Sequence, residues 1–162
     1  MTDSVTLEPL NETDLEAVVE LEKQCFPDPW ESDLFRLFAD LGGMIQGPGG
    51  TILRFYVAHL RQEVVGYVCW EDSRRNREAR VSNIAVAPRY RRLGIGTLLM
   101  RFVMASAQRA GCARLSLEVR EKNLPARRLY EKMGLHPTGR SPKYYGDEDA
   151  IIYSTSLTSS PL

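Results

Sequence analysis

Three arginines stand directly in front of two glycines spaced one residue apart in the stretch RYRRLGIG, residues 89–96. Its core is Arg91, Arg92, Leu93, Gly94, Ile95 and Gly96. An apolar run ends just before it at Val86, and Leu98, Leu99, Phe102 and Val103 recur after it at helical spacing. The first backbone N–H groups of a helix have no partner within the helix, so a strand-to-helix turn of this kind is suited to binding an anion. Glycines let phosphate oxygens approach the backbone without a Cβ in the way, and nearby arginines add charge-assisted hydrogen bonds. The nucleotide fingerprints fit poorly, because Gly94-Ile95-Gly96-Thr97-Leu98-Leu99 lacks the third glycine of a dinucleotide turn and no Gly-Lys-Ser/Thr follows. Taken alone, the stretch reads equally as a basic connection whose glycines serve geometry, or as a basic patch.

Further side chains with chemical potential follow. From Leu115 to Arg120 apolar and polar residues alternate, so Ser116, Glu118 and Arg120 share the strand face opposite Leu115, Leu117 and Val119. Asn123 suits a helix N-cap, Pro125 the first turn, and Leu129 with Met133 form an apolar pair ending at Gly134. Tyr130 lies on that helix. From the residues themselves, Glu118 is either a reactive carboxylate or one more solvated one, and Tyr130 either a functional hydroxyl or core packing. His59 and His136 stand singly and are assigned no catalytic role.

The positioning elements read as mixed α/β. A short extended start precedes a helix whose first turn is bracketed by Asn11 and Asp14, with Leu15, Val18, Leu21 and Cys25 on or near one face. It stops before Pro27, and Phe26-Pro27-Asp28-Pro29-Trp30 forms a bend. Leu34, Phe35 and Phe38 predict a short second helix, and the glycines between 42 and 50 a mobile loop. Thr51–Leu60 and Glu63–Trp70 predict a hairpin. The segment EDSRRNREAR is expected to be a solvated loop carrying Arg74, Arg75, Arg77 and Arg80, leading into a strand over 81–86. A last strand is expected over 149–157, with 158–162 a frayed tail.

At 162 residues, 43% hydrophobic and 26% charged, the composition is that of one domain spanning 1–162. Lysine plus arginine equals aspartate plus glutamate at 21 each, so no global field favours DNA or an anionic membrane, and any anion site is local. Cys25, Cys69 and Cys112 lack metal-site spacing and disulfide parity, which points to a reducing cytoplasm and no metal. The polar, acidic start and short apolar runs predict neither a signal peptide nor a membrane span.

Residues 84–96, IAVAPRYRRLGIG, resemble motif A of the GCN5-related N-acetyltransferases (GNAT), with Arg91, Gly94 and Gly96 at the Gln/Arg, Gly and Gly/Ala positions of its signature. The stretch LEVREKNLPARRLYEKMGL is similar to the second half of that fold. Phe26–Trp30 and Lys143–Ala150 look like segments of its RimI-type branch, the ribosomal-protein-alanine N-acetyltransferases. The resemblance implies a central mixed, splayed β-sheet flanked by helices, with acetyl-CoA as cosubstrate. Its pyrophosphate would lie on Arg91, Arg92, Leu93, Gly94, Ile95 and Gly96, its pantetheine arm along the backbone of Ile84, Ala85 and Val86, and Asn123 would also contact it. The same resemblance implies Glu118 as general base, through a water, and Tyr130 as general acid. Trp30, Tyr144 and Tyr145 would grip the acceptor, a protein N-terminus, with a ribosomal protein starting with alanine as the branch's substrate. A protein α-amine has a pKa of about 7.7–8.0 against about 10.4 for lysine, a difference of about 3.5 kcal/mol in the cost of deprotonation. That favours an N-terminal acceptor for a site with one moderate base. The alternatives are a lysine or small-amine acetyltransferase of the same fold, and a noncatalytic RNA- or ribosome-binding module using the arginine-rich turn.

Overall fold

The computed structural model describes residues 4–157. Asn11 begins the helical part, its side chain accepting from the Asp14 N–H at 3.2 Å. Helix α1 (Leu15–Cys25) buries Leu15, Val18, Leu21 and, unexpectedly, Glu22. It ends at an extended Phe26, as the following Pro27 requires. Helix α2 (Ser32–Asp40) buries Phe35 and Phe38.

The strands are β1 (Thr6–Pro9), β2 (Met44–Gln46), β3 (Thr51–Leu60), β4 (Glu63–Ser73), β5 (Glu78–Val86), β6 (Arg114–Arg120), β7 (His136–Ser141) and β8 (Ala150–Ser156). They form one mixed sheet in the order β1-β3-β4-β5-β6-β8-β7, with β2 on the side of β3. Helix α3 (Ile95–Arg109) crosses from β5 to its parallel neighbour β6, as a parallel pair requires. Helix α4 (Leu124–Lys132) follows β6. The central strand β4 is buried on both faces. Tyr67 and Cys69 join α1 and α2 in one core cluster, whereas Val68 and Trp70 join Leu99, Met100 and Val103 of α3 in the other. Each fully buried aliphatic side chain contributes roughly 1.5–3 kcal/mol.

Two expectations are corrected. The glycine-rich segment 42–50 is not simply a mobile loop, because β2 pairs with β3 from Met44↔Arg54 to Gln46↔Ile52. Gly43 permits this: its φ is +83°, and a Cβ there would sit 2.9 Å from the Phe55 carbonyl oxygen. EDSRRNREAR is not one long loop either, since β4 and β5 pair as far as Ser73↔Glu78 and only residues 74–77 turn. Ala79 and Val81 enter the core, which places Arg80 on the opposite face. Strand β7 had no signal in the sequence. It is an exposed edge strand, which is where a residue such as Pro137 is tolerated. The residues of the expected tail, 158–162, lie outside those described.

Candidate active site

One irregularity opens the sheet. Opposite Cys69 and Trp70 the β4–β5 register slips, with Cys69 facing Asn83 and Trp70 facing Val81, so Ser82 is an extra residue on β5. Such a bulge bends its strand. The parallel β5–β6 pairing runs from Glu78↔Arg114 to Val81↔Leu117 and stops at that point. Beyond it the two strands diverge, and a cavity of about 770 Å³ occupies the split. Glu118, Asn123, Tyr130, Trp30, Tyr144 and Tyr145, expected at the site from the sequence, all line this cavity. Ile84 lines it as well, and Ala85 and Val86 continue the same strand toward the RYRRLGIG turn.

At that turn Gly94 is the N-cap of α3 with φ +83°. A Cβ at Gly94 would meet nothing within 4 Å, so glycine is needed for backbone conformation rather than space. Arg92, at φ +65°, is also left-handed. Gly96 has another purpose. A Cβ there would lie 3.0 Å from Leu129 Cδ2, so this glycine lets α3 approach α4. Arg91 folds back, its Nε donating to the Val86 carbonyl at 3.2 Å. Tyr90 donates to Glu63 at 2.6 Å and Arg89 pairs with the same carboxylate, anchoring the approach to the turn.

Within the cavity itself the polar groups come from side chains. Both Glu118 oxygens accept from Arg80 Nε, at 2.9 and 3.2 Å, and Arg80 Nη2 lies 2.9 Å from Glu118 Oε2. Arg80 Nη2 also donates to the Tyr144 hydroxyl at 2.8 Å. The sequence reading placed Arg80 on a solvated loop. Its place on β5, flanked by carboxylates on both neighbouring strands, corrects that. Arg120 stacks on Tyr145, 4.3 Å from the ring centroid, and reaches Glu148, Asp147 and Asp28 at 3.3, 3.3 and 3.5 Å. It thereby ties the bend after α1 to the loop that carries both tyrosines.

Glu22 is the polar residue that the sequence reading missed. It is 1% exposed and accepts from Tyr67 Oη, Asn83 Nδ2 (2.8 Å) and the Trp30 N–H (2.9 Å). The available signal was a carboxylate four residues after Val18 on the apolar face of α1. Its bond to the Trp30 backbone fixes the Phe26–Trp30 bend against the sheet.

Asn123 caps α4, accepting from the Ala126 N–H at 3.3 Å, and also lines the cavity. Tyr130 is 5% exposed, and burial pushes its phenol pKa above the usual value. Burial, with Tyr144 next in effect, raises Tyr145 to about 12. Both tyrosines therefore hold their protons at neutral pH. His59 belongs elsewhere, its Nε2 lying 2.8 Å from Asp14 Oδ1. The cysteines are free. Among the described residues no helix is long and apolar enough to cross a membrane.

A splayed mixed sheet, with a glycine turn at the N-terminus of its crossover helix and a polar cleft in the split, defines an acyltransferase architecture. Residues 15–135 match the acetyltransferase (GNAT) family, and the chain belongs to that family: it is an N-acetyltransferase. It is 37% identical over 141 residues to an uncharacterized N-acetyltransferase of Methanocaldococcus jannaschii, covering 86% of this chain and 83% of that one. To the ribosomal protein bS18-alanine N-acetyltransferase of Escherichia coli K12 it is 29% identical over 160 residues, covering 94% and 98%. The crystal structure of the ribosomal-protein-S18-alanine N-acetyltransferase from Escherichia coli superposes with a TM-score of 0.79 at 28% identity, over 98% of this chain and 97% of that one.

Proposed function

We propose that this protein transfers the acetyl group of acetyl-CoA to the N-terminal α-amine of a protein, most suitably a ribosomal protein beginning with alanine. The observation that carries this reading is the convergence of Glu118, Tyr130 and the aromatic acceptor loops on one cleft, which opens where β5 leaves β6. The likeness to the Escherichia coli ribosomal-protein-S18-alanine N-acetyltransferase over nearly its whole length, in sequence and in structure, supports the choice of acceptor.

The residues fit acetyl-CoA as cosubstrate. The α3 N-terminus with Arg91–Gly96 offers amides and cations for a pyrophosphate, and Gly94 supplies the left-handed conformation that shapes the turn. Beyond the bulge at Ser82, the β5 edge from Ile84 to Val86 is free of β6 and suits a strand-like pantetheine arm. Acetyl-CoA, when bound, supplies an activated thioester.

Glu118 accepts a proton from the acceptor amine, through a water, so that the neutral amine attacks the carbonyl carbon. A β5 backbone amide stabilises the resulting oxyanion. As the C–S bond breaks, Tyr130 gives its proton to the departing sulfur and regains one from the new amide nitrogen, so that no buried tyrosinate remains. Trp30, held by Glu22, and Tyr144 with Tyr145, held by Arg80 and Arg120, flank the incoming peptide end. Asn123 holds the first turn of α4, and with it Tyr130, beside the cleft.

The test is mass spectrometry of a peptide panel incubated with acetyl-CoA. Alanine-started peptides are expected to gain one acetyl group on the α-amine, faster than amino-blocked peptides containing lysine. Preference for the blocked lysine peptides would overturn the α-amine assignment in favour of side-chain acetylation.

A further inference from the structure

Arg80 is placed by strand register rather than by loop chance. On β5 it stands opposite Glu71 of β4 and opposite Ser116 of β6, and Glu118 lies two residues beyond Ser116 on the same strand face. Its guanidinium is thus strung between two carboxylates, close to Glu118 and looser to Glu71 at 3.6 Å. A third contact, to Tyr144 Oη, reaches the acceptor loop. Burial disfavours the Arg80 charge, but the hydrogen bond to Glu118 and the charge interactions with Glu118, Tyr144 and Glu71 together outweigh it, so the net shift of its pKa is upward. One planar cation therefore sets the orientation of a carboxylate on β6 and of a hydroxyl on the loop before β8. A lysine offers a point charge and does not reproduce this fork.

We propose that Arg80 is a positioning residue for acetyl transfer, one that aims the Glu118 carboxylate into the cleft and holds Tyr144 over the acceptor end, acting on the acceptor side of the direct transfer without contributing to acetyl-CoA binding. This rests on the reading of Glu118 as the base. Glu118 uses two of its lone-pair directions on Arg80, which leaves the others for the acceptor or its water. Without the fork the carboxylate is free to rotate, and a misplacement of about 1 Å at a reacting group costs on the order of 100-fold.

The experiment compares wild type, Arg80→Met, Arg80→Lys, Glu118→Gln and the Arg80→Met/Glu118→Gln double variant, varying acceptor peptide and acetyl-CoA separately. Arg80→Met is expected to lower kcat/KM for the acceptor by about 10- to 100-fold and to leave the KM for acetyl-CoA within about twofold. Arg80→Lys should recover only part of the loss, and added guanidinium chloride at millimolar concentration should partly restore Arg80→Met but not the double variant. The double variant should lose far less than the product of the two single losses, because Arg80 acts largely through Glu118, the small remainder reporting its hold on Tyr144. Independent, multiplying losses, or a large rise in the KM for acetyl-CoA, would overturn the proposal. An NMR measurement separates this inference from the assigned function. The Arg80 Nε–H resonance should exchange slowly with solvent in the wild type and quickly in Glu118→Gln, whatever the acceptor. Identical exchange in both would overturn the pairing itself, whereas failure of every α-amine peptide to react would overturn only the choice of acceptor.

Discussion

The cleft and the RYRRLGIG turn that follows β5 are built from different materials. The turn, with the strand leading to it, is mostly backbone: the start of α3, a left-handed Gly94 and the free edge of β5 beyond its bulge. The cleft around Glu118 is mostly side chain, with Arg80 and Arg120 joining β5, β6, the bend after α1 and the loop before β8. A backbone site recognises a chemical group common to many ligands, and the proposed ligands of this one are a pyrophosphate and an amide-bearing arm. A side-chain site recognises a particular acceptor. Substitutions in one should therefore be separable from those in the other in kinetic terms.

Tyr130→Phe is the largest expected effect after loss of the base itself. Removing the proton donor should reduce turnover by about 100-fold or more while acetyl-CoA affinity changes little. Stopped-flow or steady-state thiol release measures the first and calorimetry the second. Turnover close to that of the wild type would mean that Tyr130 serves through its ring, packed 6.1 Å from Tyr153 between centroids, and not through its hydroxyl.

Gly94→Val addresses the turn. A β-branched residue at φ +83° costs about 1–3 kcal/mol of strain, and relief of that strain reshapes the turn. Acetyl-CoA affinity is expected to fall about tenfold, with turnover at saturation falling less. Unchanged affinity would remove the turn from the cofactor site.

Glu22→Ala should give the smallest kinetic effect and a clear loss of stability. It leaves Tyr67 Oη, Asn83 Nδ2 and the Trp30 N–H without their shared acceptor, a cost of about 1–3 kcal/mol for each donor that stays buried and unpaired, to be read by urea unfolding. Glu22→Gln should retain most of that stability, and its KM for the acceptor tests whether the carboxylate also fixes the Phe26–Trp30 bend.

The same contrast accounts for what could be read in the sequence. Period-2 alternation marked β6, helical spacing marked α3, and the Asn123-to-Gly134 punctuation marked α4, because each signal is local. Motif A was legible for the same reason. Arg80 was misplaced because its meaning depends on the β4–β5–β6 register, a relation between residues up to 38 positions apart. Glu22 was missed because its partners Tyr67 and Asn83 lie 45 and 61 residues away. Strands β2 and β7 escaped notice because one is three residues long and the other is exposed along nearly its whole length. Glu118 on its strand and Tyr130 on its helix were legible from local pattern, yet the arginine lock on the first and the burial of the second emerged only from the fold.

In the proposed mechanism Glu118 carries proton transfer in the side-chain cleft while the backbone turn holds the cofactor. The most direct test is to measure turnover on an alanine-started peptide and the acetyl-CoA dissociation constant side by side for Glu118→Gln. A loss of turnover of about 100-fold or more, with affinity unchanged within about twofold, is the predicted result. Turnover equal to that of the wild type would contradict it.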